Sequence, residues 1–387
     1  MAYDRDLEFV YRSPTKLIFR ENAVKDAGIE VEELGCSRAL IVTDKGIVDA
    51  GLVEPVEKAL GKRHAGTYDK CIQDSGYDVV NKATEFARDK GADALISVGG
   101  GSVIDTAKGM AILLKEGGKL EDYEGVQMLS RPQTPHVVIP TTAGTGSEVT
   151  PSAVIKNRDR NIKMLIHDSH IMPNTAILDP VMTQGLPPML TATTGMDVMT
   201  HAIEAIHAII AEPIADYVAF GAIRLVVEYL PRCVENGDDL FARGQQQIAA
   251  TAGGMAFANS QINIVHSLAH SAGGIFGVPH GLANSILLPH VILFILADCA
   301  DRYVLVGEAL GVYEKGMTGM EAGEAAANAI WEFTKKLGIP QRLRDAGVPE
   351  DGLESIADNA LNDGVLPFSP KLIVDPEEVL QVYQNAW

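Results

Sequence analysis

The chain has 387 residues, 47% of them hydrophobic and 21% charged, with a formal net charge of −19. That length and balance point to two globular domains and exclude a disordered chain. The acidity repels phosphate backbones and anionic lipid, so neither nucleic acid nor a membrane surface is an expected partner.

In chain order, the opening MAYDRDLEF carries charges where a signal peptide needs an apolar run, so a cytoplasmic protein is expected. Residues 39–43 (ALIVT), 94–98 (ALISV) and 136–140 (HVVIP) read as buried strands, and 50–61 and 77–90 between them as amphipathic helices. That alternation implies a parallel sheet with helices on its faces. Leu186-Pro187-Pro188 forms a break, and beyond it Ala-rich helical patterns follow over 196–210, 214–230, 244–258, 261–272, 283–298 and 320–337. The apolar window 285–300 contains Pro289, His290 and Asp298, is too short and interrupted to span a membrane, and is expected to be a buried helix. The tail carries Pro367, Pro370 and Pro376 and reads as loop before one short final helix. The expected fold is an α/β N-terminal Rossmann-like parallel-sheet domain over residues 1–186, followed by an all-α C-terminal domain over 187–387. Cys36, Cys71, Cys233 and Cys299 form no C-x-x-C pair, which argues against a cysteine zinc site and for a reducing compartment.

Two turns carry ligand-binding character. Gly99-Gly100-Gly101-Ser102 follows a predicted strand and opens a predicted helix. Glycines let a ligand approach the backbone, and the helix start offers N–H donors and a positive dipole end suited to phosphate. Thr141-Thr142-Ala143-Gly144-Thr145-Gly146-Ser147-Glu148 follows the next strand and supplies hydroxyls for an anion or ribose, or for a helix cap. Turns at the carboxyl ends of neighbouring strands lie where open α/β sheets bind ligands. Asp44, which ends the first predicted strand, suits a ribose and disfavours a 2′-phosphate, or else caps a helix.

The helical half concentrates histidines. Asp197 and His201 are four residues apart, as are His266 and His270, and His280 follows a glycine-rich bend. On a helix that spacing puts each pair on one face. A carboxylate with several imidazoles is a nitrogen/oxygen donor set suited to Zn²⁺ or Fe²⁺. His207 and His290 lack such a pattern and read as structural.

At VTDKGIVDAGL (42–52), GGGSVIDTAK (99–108), TTAGTGSEVT (141–150), GMDVMTHAIEA (195–205) and HSLAHSAGGIFGVPHG (266–281), the sequence resembles the iron-containing, or group III, alcohol dehydrogenase family. The resemblance implies metal ligands at Asp197, His201, His266 and His280, and a histidine near substrate and nicotinamide at His270. It implies NAD contacts at Asp44, Gly99, Gly100, Gly101, Ser102, Thr141, Thr142 and Thr145, with Lys163 near the cofactor. It also implies a dehydroquinate synthase-like architecture with the active site between its domains, and a homodimer. The chain departs from the family pattern at 71–76, at 364–371, and at Phe19-Arg20-Glu21-Asn22, where the family carries a hairpin with a Phe-Gly turn.

The expected function is NAD-linked interconversion of a short primary alcohol or diol with its aldehyde, dependent on Fe²⁺ or, alternatively, Zn²⁺. Glycerol dehydrogenase-like polyol oxidation is the nearest alternative. A dehydroquinate synthase-type lyase is a more distant one, since it uses a Glu/His/His set. Ser152, Phe257 and residues 364–369 are the expected pocket positions.

Overall fold

The computed structural model describes residues 7–73, 75–157 and 162–387, with the side chains of Ile162 and Lys163 outside the described set. Nine strands are described: β1 (Lys16–Phe19), β2 (Ala39–Asp44), β3 (His64–Cys71), β4 (Ala94–Gly99), β5 (Gly125–Val126), β6 (His136–Pro140), β7 (Ser152–Asn157), β8 (Ile162–His167) and β9 (Thr175–Leu178). Six of them form a parallel sheet in the order β1-β9-β6-β4-β2-β3. The expected strands 39–43, 94–98 and 136–140 are its centre. Their apolar runs are continuous because parallel strands are covered on both faces.

Alternate residues divide between two cores. Leu40, Val42 and Leu95 pack with Val80 and Ala83 of α4 (Tyr77–Asp89) and with Val103 and Met110 of α5 (Gly101–Glu116). Ala39, Ile41, Ala94 and Ile96 face Val31 and the pair Val56 and Leu60 on the other side. That second layer is α1 (Ala27–Glu33) and α3 (Glu54–Leu60). The helix expected over 50–61 is corrected: α2 (Lys45–Asp49) ends early, Gly51 takes a left-handed φ of 74°, and α3 starts afresh.

The edge strand β1 and its neighbour β9 are not legible in the sequence. β1 and β9 are four residues each, too short for an alternation to register. β1 pairs in parallel with β9. A small second sheet, β5-β8-β7, includes an antiparallel pair between β7 and β8, which corrects the expectation of a purely parallel arrangement.

Helices make up the rest: α6 (Pro188–His207), α7 (Pro213–Glu235), α8 (Leu240–Ser260), α9 (Ile264–Phe276), α10 (His280–Cys299), α11 (Arg302–Leu310), α12 (Gly319–Lys336), α13 (Leu353–Ala360) and α14 (Pro376–Ala386). The described residues divide into two compact units. The sheet unit is Ser13–Leu186 with Asp238–Gln247, and the helical unit is residues 7–12, Pro187–Gly237 and Ile248–Trp387. The first turns of α8 thus go with the sheet unit, which a single cut in the chain does not capture.

α10 corrects the reading of window 285–300 as too short. It runs 20 residues with Pro289 inside it, and its most apolar 18-residue window has a mean hydropathy of 1.8, so it is long and apolar enough to cross a membrane by length and composition alone. Within the protein, 67% of that window is buried, as expected of a core helix, and α10 packs on α6, α9, α12 and α14.

Candidate active site

The first turn is built by strand geometry. β4 ends at Gly99, Gly100 precedes α5 in extended conformation, and the helical ladder begins where the Val103 and Ile104 amides bond Gly100 O at 3.0 and 3.1 Å. The amides before them lie at the positive end of a 16-residue helix. The second turn packs against the first. Thr141 N donates to Gly99 O at 3.1 Å, a Cβ on Gly100 would stand 3.2 Å from Thr142 Cγ2, and one on Gly101 would stand 2.9 Å from Thr145 Cγ2. Glycine is required there because threonine side chains already fill the space. Thr141 Oγ1 is buried without a hydrogen-bond partner. Gly99, Gly100, Gly101, Ser102, Thr141, Thr142 and Thr145 are therefore brought together at the carboxyl edge of the sheet, as an anion or ribose site requires.

Two residues of the first motif face inward. Asp105 accepts from Ser147 Oγ (2.8 Å) and Val154 N (3.0 Å). Lys108 is fully buried and donates to Ser147 Oγ (2.9 Å), Thr150 O (3.0 Å) and Ser152 O (2.7 Å). Burial, opposed by Asp105 and Glu148, lowers its pKa to about 8. This pair ties the second turn to α5, a role the motif did not disclose.

Asp44 ends β2 at the same edge, and its Oδ1 accepts from Ile47 N at 3.0 Å, so it caps α2. Lys163 stands in β8 opposite Lys156; its side chain lies outside the described residues.

In the helical unit, Asp197 and His201 share one face of α6, α9 carries His266 and His270, and His280 opens α10. Glycines let these helices approach. A Cβ on Gly281 would lie 2.4 Å from Thr193 O, and one on Gly195 would lie 2.3 Å from Leu230 Cδ1. The N-terminus of α10 therefore rests on α6 and brings His280 to Asp197. Asp197 Oδ1 lies 3.9 Å from His201 Nε2, 3.7 Å from His266 Nε2 and 3.4 Å from His280 Nε2. One ligand atom each of Asp197, His201 and His266 lie within 4.8 Å of one another, all on buried residues. Burial would raise the Asp197 carboxyl, but His201, His280 and His266 hold it below the usual carboxylate range. A buried carboxylate facing imidazole nitrogens is a donor set for a borderline divalent cation, and the spacing is close to the roughly 3–3.5 Å expected between atoms sharing one ion. The residues fit such an ion.

Around this group lie residues the sequence reading missed. Glu204, three residues after His201, is fully buried and receives His266 Nδ1 at 2.5 Å, Val265 N at 2.5 Å and Asn263 N at 3.0 Å. Burial would raise its pKa, but His266 lowers it further, so it stays ionised and sets the His266 ring with Nε2 toward Asp197. Asn284, four residues after His280, donates from Nδ2 to Asp197 Oδ1 at 2.7 Å. His270 stacks on His280 (centroids 5.3 Å apart), and its Nδ1 lies 2.8 Å from Asp363 Oδ2. Helical spacing from the recognised ligands was the available signal for Glu204 and Asn284; Asp363 is 93 residues from His270 and left none.

The remaining expected positions separate. Phe257 stacks on His201 with centroids 4.3 Å apart. Ser152 Oγ bonds His167 Nδ1 at 2.9 Å in the sheet unit. Residues 366–368 form a short turn whose Phe368 O accepts from Ile209 N. His207 bonds Tyr303 Oη and Asn263 Oδ1, and His290 packs on Trp331; both have the structural contacts expected of them.

Comparison with known proteins bears on this geometry. Residues 14–180 match the family described as iron-containing alcohol dehydrogenase, and residues 191–387 match the C-terminal part of the Fe-containing alcohol dehydrogenase family. The chain is 37% identical over 377 residues to the NAD-dependent methanol dehydrogenase of Bacillus methanolicus, covering 96% of this chain and 98% of that one. It is 36% identical over 385 residues to the 1,3-propanediol dehydrogenase of Citrobacter freundii, covering 98% and 99%. The crystal structure of a 1,3-propanediol oxidoreductase superposes with a TM-score of 0.95 at 35% identity, covering 98% of this chain and 100% of that one. Two family matches spanning both units, and relatives of this identity over nearly the full length, establish that the chain belongs to the iron-containing alcohol dehydrogenase family.

Proposed function

We propose that the protein is a metal-dependent, NAD-linked alcohol dehydrogenase that interconverts a short primary alcohol or small diol with its aldehyde. The observation that carries this reading is the convergence of His201, His266 and His280 on the Asp197 carboxylate, in a chain that also builds a glycine-threonine cradle at its sheet edge. Relatives named as NAD-dependent methanol dehydrogenase, 1,3-propanediol dehydrogenase and lactaldehyde reductase support the reaction class and a small substrate.

In this reading Asp197, His201, His266 and His280 hold Fe²⁺, with Zn²⁺ as the alternative occupant. Gly99, Gly100, Gly101 and Ser102 hold the pyrophosphate on the α5 dipole, and Thr141, Thr142, Thr145, Asp44 and Lys163 hold the rest of NAD. The cation supplies Lewis acidity toward a substrate oxygen, and the nicotinamide accepts or returns a hydride. His270 donates Nδ1–H to Asp363, which leaves Nε2 as the atom that takes up or returns the hydroxyl proton. Phe257 covers one face of His201 and keeps water from that side. The working form is a cytoplasmic homodimer.

The test is anaerobic NADH formation by metal-reconstituted and metal-stripped protein on ethanol, butanol, 1,2-propanediol, 1,3-propanediol, glycerol and 4-hydroxybutyrate. Metal-dependent NADH on the short alcohols or diols is expected. No NADH on any of them, with metal and NAD both bound, overturns the reading.

A further inference from the structure

Lys108 is fully buried in α5, where an apolar side chain of similar length would fill the space without the desolvation cost of a charge. Its ammonium has three hydrogens, and four oxygens stand within reach: Ser152 O at 2.7 Å, Ser147 Oγ at 2.9 Å, Thr150 O at 3.0 Å and Thr150 Oγ1 at 3.2 Å. Ser147 gives its own hydrogen to Asp105 Oδ1 at 2.8 Å, so toward Lys108 it can only accept. Asp105 Oδ2 takes Val154 N at 3.0 Å. The contacts then return to the start of α5. Ser147 N donates to Thr145 Oγ1 at 3.3 Å, and Thr145 Cγ2 is the atom that a Cβ on Gly101 would approach to 2.9 Å. A ring of contacts from Lys108 through Ser147 and Thr145 to Gly101 thus closes on the backbone assigned above to the pyrophosphate, and all of it lies within the sheet unit.

The charges act in the same direction. Asp105 follows Gly101 by four residues, about 6 Å along the helix. A carboxylate that close to the first amides of α5 opposes an anion there, and the Lys108 ammonium offsets it. Glu148, in the short turn Ser147–Val149, is the other anion facing Lys108. His136 on β6 and His167 on β8 face it as well, and burial holds both imidazoles below their ordinary range, so both are neutral above pH 7. Burial, against the pull of Asp105 and Glu148, brings Lys108 itself down to about 8. A buried cation held near its titration point by specific partners marks a functional site more often than a packing site.

We propose, on the nucleotide reading given above, that Asp105 and Lys108 are positioning residues for the dinucleotide: through Ser147 the charged pair holds the threonine turn against Gly100 and Gly101 and keeps the α5 N-terminus receptive to the pyrophosphate. Loss of the Lys108 proton leaves two hydrogens for the same oxygens and leaves Asp105 without its neighbouring cation. Nucleotide binding and protonation of Lys108 therefore favour each other. The coupling is reciprocal: bound NAD strengthens the hold of Lys108 on its proton by the same factor as the proton strengthens NAD binding.

The experiment is calorimetric titration of NAD into metal-reconstituted wild type, Lys108→Met and the double variant Asp105→Asn/Lys108→Met, from pH 7 to 9.5 and in two buffers of different ionisation heat. Wild type is expected to bind NAD about fivefold or more weakly at pH 9.5 than at pH 7, and to take up a fraction of a proton on binding near pH 8. Lys108→Met is expected to bind about fivefold or more weakly than wild type at pH 7, with the wild-type pH dependence and proton uptake lost. Removing the carboxylate as well is expected to restore part of that affinity, which further damage to a merely structural pair would not do. A wild type whose affinity is level over this range, with no proton taken up, overturns the proposal. So does a Lys108→Met variant that binds NAD as wild type does, or a double variant that binds no better than Lys108→Met. Circular dichroism checks folding, and if the variants do not fold, the wild-type pH profile and proton count carry the test. A wild type that binds no NAD at any pH overturns the nucleotide reading itself, so the two failures are distinguishable.

Discussion

Glu204→Gln should weaken both the fold around His266 and the metal affinity. One oxygen of Glu204 accepts from Val265 N and His266 N, the other from Asn263 N and His266 Nδ1. Glutamine keeps the shape but turns one of these oxygens into an NH₂ group that faces donors. Two hydrogen bonds to a buried charge are lost, each contributing about 1.5–3 kcal/mol, so the loss is about 3–6 kcal/mol. That is a large part of a total stability of about 5–15 kcal/mol. The ring of His266 also loses the anion that orients it and raises its basicity, which for such partners weakens metal binding by about 10–100-fold. Denaturant unfolding of the metal-stripped protein reads the first effect, and metal titration against a competing chelator reads the second. If Glu204→Gln unfolds within about 1 kcal/mol of wild type and binds metal equally well, Glu204 does not carry the role assigned to it.

Two further predictions concern the scaffold. Lys108 has its folded pKa lowered from 10.5 to about 8, so below about pH 8 the folded chain bears the full burden of a buried charge. As pH rises toward 10.5 the folded chain releases that proton while the unfolded chain keeps it, and stability rises by about 3 kcal/mol at 1.36 kcal/mol per pKa unit. Unfolding free energies of wild type and Lys108→Met at pH 7.5 and 10 isolate this effect; a wild type that loses stability relative to the variant over that window refutes it. Gly281→Ala and Gly274→Ala should differ in sign. A Cβ at Gly281 meets Thr193 O at 2.4 Å, whereas one at Gly274 meets nothing within 4 Å. The first should destabilise by about 1–3 kcal/mol and weaken metal binding by moving His280. The second, inside α9, should stabilise by about 0.5–1 kcal/mol. Equal thermal shifts in both variants would refute the close-approach argument.

Local periodicity and residue spacing carry part of this structure. Continuous apolar runs gave the three central strands, because both faces of a parallel sheet are covered. Four-residue spacing set Asp197 with His201 and His266 with His270, because a helix brings i and i+4 to one face. Glycines ahead of a helix marked the turn after β4. Tertiary structure alone decided the rest. β1 and β9 are recognisable only by their pairing, β1 with β9 and β9 with β6. The first turns of α8 cluster with the sheet unit through contacts such as Gln247 to Asp179 O, which span 68 residues. Asp44 faces its own helix cap, Lys108 turns inward, and Asp363 reaches His270 across 93 residues. Periodicity records which side of an element is buried. It does not record which distant polar group meets a side chain there, because that partner is chosen by packing between elements.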